Sequence, residues 1–192
     1  MKKGEQSKAR IIETAGELFW KNGYTKTGIN EILKATGLPK GSFYFHFKSK
    51  AEVARAVVSY YSHTILDLLQ SVADASDSWD VFCDSLLEAF QSDLQNRRYY
   101  GCPLAVVGTE IAFGEEDVLK DYCRAMERVK DIFAQVLEKS GVKEEQLLET
   151  ADLCFTIYEG NLLLLRIEKE QGRLKQMNTQ LKQVVKASSW NK

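Results

Sequence analysis

Apolar positions recur at three- and four-residue spacing along nearly the whole chain, and no stretch alternates as a half-buried strand would. Ile11, Ile12, Ala15, Leu18 and Phe19 form the inner stripe of a first helix ending at Gly23. Ile29, Ile32 and Leu33 mark a short second helix, with Thr27 placed to cap its start and Gly37 to take a left-handed conformation at its end. Leu38 then docks inward, and Pro39 pre-sets φ for the first residue of a third helix. In that third helix Phe43 and Phe47 face the core, while Lys40, Ser42, Tyr44 and His46 face outward. From about Lys50, the residues Val53, Val57, Tyr60, Tyr61, Ile65, Leu68 and Leu69 predict a longer helix of about five turns.

The same period continues to the end of the chain. Trp79, Phe82, Leu86, Leu87 and Phe90 mark a fifth helix, and Pro103 to Phe113 a short sixth between Gly101 and Gly114. A seventh, about Glu116 to Lys139, buries Tyr122, Met126, Val129, Phe133 and Leu137. After the Gly141-Val142 break comes a long eighth, about Glu144 to Gln171, and after Gly172 a last helix carrying Leu174, Met177, Leu181, Val184 and Val185. The pattern predicts an all-α chain of about nine helices, without the internal repeats of a solenoid. With 192 residues, 2 prolines and no Gly/Ser-rich linker, two domains joined by a continuous helix are expected. Their boundary is read as 1–49 and 50–192.

Two short helices joined by a tight turn form a helix-turn-helix, which lays its second helix in the DNA major groove. Charge agrees. Residues 1–50 hold ten Lys/Arg against four Glu, a net +6, leaving 16 basic and 23 acidic side chains, a net −7, for the rest. A basic pole on a mildly acidic body suits phosphate at one end only. Lys40 suits a base or a nearby phosphate, Gly41 permits close backbone approach, and Ser42 can bond either a base edge or a phosphate. Tyr44 and His46 have the length and donors for phosphates, although His46 also reads as a packed histidine. Lys50 opens the next helix, where amides and ammonium both face the duplex. Thr27 either caps alone or also binds phosphate, and Lys48 is either a contact or simply solvated.

The segment Thr27, Ile32, Gly37, Lys40, Gly41, Phe43, Tyr44, His46, Phe47, Ser49 and Lys50 resembles the DNA-binding signature of the TetR/AcrR family of bacterial one-component repressors. Gly28, Pro39 and Phe45 depart from it, each removing a hydroxyl from the DNA surface. The resemblance implies an N-terminal three-helix DNA-binding domain, a larger C-terminal domain that binds a small-molecule effector, and a homodimer on a palindromic operator. The last two helices would pair with their copies in a second subunit. Leu162-Leu163-Leu164-Leu165 is apolar around more than one face, which either this interface or a domain core would use. Thr27-Gly28 with Pro39-Lys40-Gly41-Ser42 is similar to a branch whose members include N-ethylmaleimide- and electrophile-responsive repressors.

In the second domain Trp79, Phe82, Phe90, Tyr99, Tyr100, Phe113, Tyr122, Phe133, Phe155 and Tyr158 either line an effector pocket or form ordinary core. Among the cysteines, Cys83, Cys123 and Cys154 fall beside apolar stripes and read as inert. Cys102 stands before Pro103 at a helix start, with Arg97 and Arg98 close in sequence, a setting that favours thiolate. It reads as a thiol sensor or as a small buried hydrophobe. In the similar branch a cysteine at this place is the sensor in some members, and Arg166 lies where that branch can carry a basic partner. No cysteine shows metal-ligand spacing, and no cofactor is implied. A Cys-dependent enzyme would need a base, and the two histidines sit in the DNA reader and at position 63. A constitutive architectural DNA-binding protein is the other alternative. The first residues lack a signal peptide's apolar stretch and no run reaches membrane-span length, so a cytoplasmic protein is expected.

Overall fold

A computed structural model describes residues 3–95, 100–112 and 116–188. Every regular element among them is an α-helix: α1 Lys3–Asn22, α2 Ile29–Thr36, α3 Lys40–His46, α4 Lys50–Asp74, α5 Trp79–Gln95, α6 Pro103–Ile111, α7 Glu116–Lys139, α8 Glu144–Glu168 and α9 Gly172–Ser188. The all-α expectation holds, with two adjustments of length. The fourth helix runs 25 residues, about seven turns rather than five. The eighth stops at Glu168, where Lys169 takes φ 57° and its amide closes on Leu165 O. Arg97, Arg98, Tyr99, Phe113 and Gly114 lie outside the described residues.

The helices cluster into two compact units, Met1–Thr64 with Pro103–Ala125, and Ile65–Cys102 with Met126–Lys192. In the first unit, Ile11, Ala15 and Phe19 of α1 bury together with Ile32, Phe43 and Phe47. The first half of α4 adds Val53, Ala54, Val57 and Val58. α6 belongs here too: Gly108 leaves room for the Tyr122 ring, which an added Cβ would meet at 3.2 Å. Glu110 Oε2 accepts the amide of Thr25 in the α1–α2 turn at 2.6 Å, across 85 residues of sequence.

In the second unit, Trp79 stacks on Phe82 with ring centroids 5.3 Å apart and meets Phe133 edge-on at 5.6 Å. Phe133 meets Tyr158 edge-on at 5.7 Å. The Trp79 indole N–H donates to Leu181 O at 2.9 Å, so α5 is tied to α9 by a bond as well as by area. Buried Asn178 repeats the tie, donating to Cys83 O at 3.1 Å and to Asp84 Oδ1 at 2.9 Å. Most of the second-unit aromatics are therefore packed core, while Tyr100, Phe90 and Phe155 are half-buried.

Candidate nucleic-acid interface and sensing segment

The turn between α2 and α3 follows from three residues. Gly37 takes φ 65°, where its amide closes α2 on Leu33 O, and Pro39 at φ −67° stands just before α3. Pro39 is thus the N-cap rather than the first helical residue, a shift of one position. Phe43 and Phe47 are buried as the periodicity predicts, and they hold α3 against the first unit.

The outward face of α3 differs from the expected one. At 100° per residue Lys40, Gly41, Tyr44 and Phe45 share an arc of about 140°, and all four are exposed. Tyr44 is 46% exposed and Phe45 82%. Ser42 and His46 turn to the flank and are half-buried. The His46 ring is engaged: Nε2 lies 2.7 Å from Ser7 Oγ on α1, which makes the residue a brace. Lys40 Nζ sits 5.8 Å from the Tyr44 ring, leaving its ammonium at the surface.

Two further expectations are corrected. Thr27 is fully buried, and its hydroxyl donates backwards, to Gly23 O at 2.8 Å. Gly28 is the N-cap of α2, without a side-chain cap bond. Thr27 therefore neither caps nor presents a hydroxyl to a phosphate; two carbonyls at the end of α1 compete for its proton and win. Lys50 is half-buried, donating to Tyr24 O at 3.1 Å with its Nζ 4.2 Å from the Tyr24 ring. Its charge stays in the reader, but its stem is committed to the α1–α2 turn. Lys48 is exposed, and its amide donates to Glu52 Oε2 at 2.8 Å. Ser49 Oγ accepts the Glu52 amide at 3.2 Å and so caps the start of α4, while the Glu52 carboxylate reaches one residue further back than in a capping box. The Ser-x-x-Glu spacing was readable in sequence as a helix-start signal.

The cysteine segment is built from α8. Gly101, at φ +75°, lets the chain press onto α8, since a Cβ there would lie 2.8 Å from Leu162 O. Arg166 Nη1 donates to Tyr100 O at 2.8 Å and ties the preceding residue to the same helix. Cys102 itself is only 4% exposed. Its thiol hydrogen-bonds the carboxyl of Glu159, a residue to which sequence reasoning gave no role. Burial pushes the Glu159 carboxyl up to about 7, against the opposing pull of the Cys102 bond. Its other oxygen, Oε2, is buried without a partner among the described residues.

The remaining thiols separate clearly. Burial, with a smaller contribution from Cys154, raises the Cys83 thiol far above its ordinary range. Burial alone pushes Cys154 up to about 12. Cys123, read as inert core, is exposed, because it lies one residue off the stripe of Tyr122, Ala125 and Val129. Among the described residues no group of three or more His, Cys, Asp or Glu is placed to hold a metal ion, and no helix is long and apolar enough to cross a membrane.

Residues 11–57 match the tetR family of bacterial regulatory proteins, and residues 80–180 match the C-terminal domain of LmrA/YxaF-like transcriptional regulators. The chain is 30% identical over 169 residues to an HTH-type transcriptional regulator in the lacX 3' region of Lactococcus lactis subsp. lactis, with 85% of each chain covered. It is 28% identical over 170 residues to the HTH-type regulator YxaF of Bacillus subtilis, covering 88% of this chain and 89% of that one. The reduced form of Escherichia coli NemR has the same fold at 21% identity, with a TM-score of 0.77 over 93% of this chain and 96% of that one. These relatives are transcription regulators rather than enzymes. On both matches the chain belongs to the TetR family of bacterial transcriptional regulators, as a DNA-binding helix-turn-helix protein with an LmrA/YxaF-like C-terminal domain.

Proposed function

We propose that this regulator is a repressor that binds a palindromic operator as a homodimer and lets go when a small molecule or electrophile acts on its C-terminal part. In this reading residues 1–49 read DNA, and residues 50–192 sense and dimerise. The observation that carries it is the outward face of α3: a cation, a glycine and two aromatics on one arc, backed by Phe43 and Phe47. Lys40 takes a base edge or nearby phosphate, Gly41 allows close approach, and Tyr44 reaches a phosphate. Ser42 and His46 contribute from the flank, His46 chiefly as the brace on α1. Lys48 and Lys50 supply charge beside them.

The dimer rests on α8. Leu162 and Leu165 are buried, whereas Leu163 and Leu164 are exposed, so the leucine run serves two faces. Leu153, Gly160, Leu164 and Ile167 fall on one exposed line at seven-, four- and three-residue steps. A second copy of α8 and α9 covers that line across a two-fold axis and fixes the spacing of the two α3 helices.

Fluorescence anisotropy on duplex DNA from upstream of the protein's own gene tests the reading. Lys40→Ala is expected to weaken binding about thirtyfold, roughly 1 kcal/mol from each of two subunits, and to lower the salt slope by about two. Equal binding by the variant, or equal affinity of the protein for unrelated duplexes, would sink the operator reading. The sensing half has its own expected result. N-ethylmaleimide releases the DNA from the wild type and from Cys123→Ser, but not from Cys102→Ser. Release that persists in Cys102→Ser removes Cys102 as the sensor and leaves non-covalent effectors.

A further inference from the structure

The DNA-reading role assigned above is the premise here; the new point concerns what α3 reads. Phe45 is the most exposed large apolar side chain of the described residues, at 82%. It stands on the arc shared with Lys40, Gly41 and Tyr44, and so enters whatever groove they enter. The ring has a fixed neighbour: the His46 imidazole meets it edge-on with centroids 4.9 Å apart. His46 is itself held to Ser7 of α1 at 2.7 Å. Phe45 is therefore presented on a braced helix.

A phenyl ring carries no donor or acceptor, so it gains nothing from a phosphate oxygen or from the hydrogen-bonding atoms of a base edge. It also loses by staying in water. The major groove offers one apolar group that depends on sequence, the 5-methyl of thymine. We propose that Phe45 is a specificity-determining residue that packs on a thymine methyl in each operator half-site. The polar positions of the arc supply affinity and register, while Phe45 distinguishes T·A from C·G at one step.

The test uses the full-length dimer and duplexes selected from a random double-stranded library by the wild-type protein. Each thymine of the selected site is replaced singly by deoxyuridine, which removes the methyl and leaves pairing intact. For the wild type, one thymine per half-site is expected to lose about fourfold in affinity on replacement, the worth of one buried methyl. For Phe45→Ala the same replacement is expected to change nothing, because the partner of the methyl is gone. Phe45→Leu, which keeps an apolar surface, restores part of the discrimination and guards against a variant that merely misfolds. Tight, selective binding in which no thymine couples to Phe45 overturns the inference but leaves the DNA-reading role standing. Failure of the wild type to select any duplex overturns both.

Discussion

Trp79→Ala is expected to cost about 4 kcal/mol, in the range for removing a fully buried tryptophan. For a chain of this size that lowers the thermal midpoint by roughly 10 °C. Three losses combine at one residue. The stacking on Phe82 goes, and the edge contact with Phe133 goes with it. The indole bond to Leu181 O, which joins α5 to α9, is removed as well. Trp79→Phe keeps most of the ring area and forfeits the hydrogen bond, so about 1–2 kcal/mol is expected for it. Circular dichroism melts of the three proteins at one concentration separate the contributions. A midpoint shift below about 2 °C for the alanine variant would mean that the aromatic cluster is not the centre of the second unit. Because α9 is also part of the proposed dimer surface, the alanine variant should additionally dissociate at higher protein concentration than the wild type.

A second large effect concerns pH. The Glu159 carboxyl is raised from its ordinary 4.5 to about 7 by burial. A carboxyl raised on folding stabilises the native state in its protonated form. The cost of ionising it is absent below about pH 4.5, grows between 4.5 and 7, and is fully present above about 7. The displacement corresponds to about 3 kcal/mol. Glu159→Gln removes the ionisation, keeps an acceptor for the Cys102 thiol, and places an amide where Oε2 lacks a partner. The variant is expected to match the wild type in urea midpoint at pH 5 and to exceed it at pH 8. An equal difference at both pH values would show that the carboxyl titrates in its ordinary range. If Cys102 is the sensor, its alkylation breaks a bond that opposes the burial cost of Glu159. Modification would then be felt along α8, which carries the proposed dimer surface.

Much of the fold was legible because helical period leaves a plain trace: Phe43 and Phe47, Ile32, and Tyr122, Val129, Phe133 and Leu137 of α7 all bury where the spacing places them, while Met126 is half-buried. The face of α3 was misread for a local reason. Positions 40, 42, 44 and 46 repeat every two residues, whereas a helix gathers 40, 41, 44 and 45. The same arithmetic places Cys123 outside the α7 stripe. Thr27 failed differently. Hydroxyl residues before a helix are usually caps, and nothing in the local sequence tells that the carbonyls of Leu18 and Gly23 lie nearer to this one. Glu110 and Glu159 were beyond reach for a third reason. Their partners, Thr25 and Cys102, are 85 and 57 residues away, and only folding brings them together.

The bond from Glu110 to the Thr25 amide also bears on how the protein is made. The first compact unit is discontinuous, since it includes Pro103–Ala125 as well as the first 64 residues. On the ribosome, α1 to α3 emerge early, but the segment that satisfies the α1–α2 turn is synthesised only after α4 and α5. Closure over so long a loop is slow relative to local helix formation. The bond from Glu110 to the Thr25 amide can therefore form only once more than half of the chain exists.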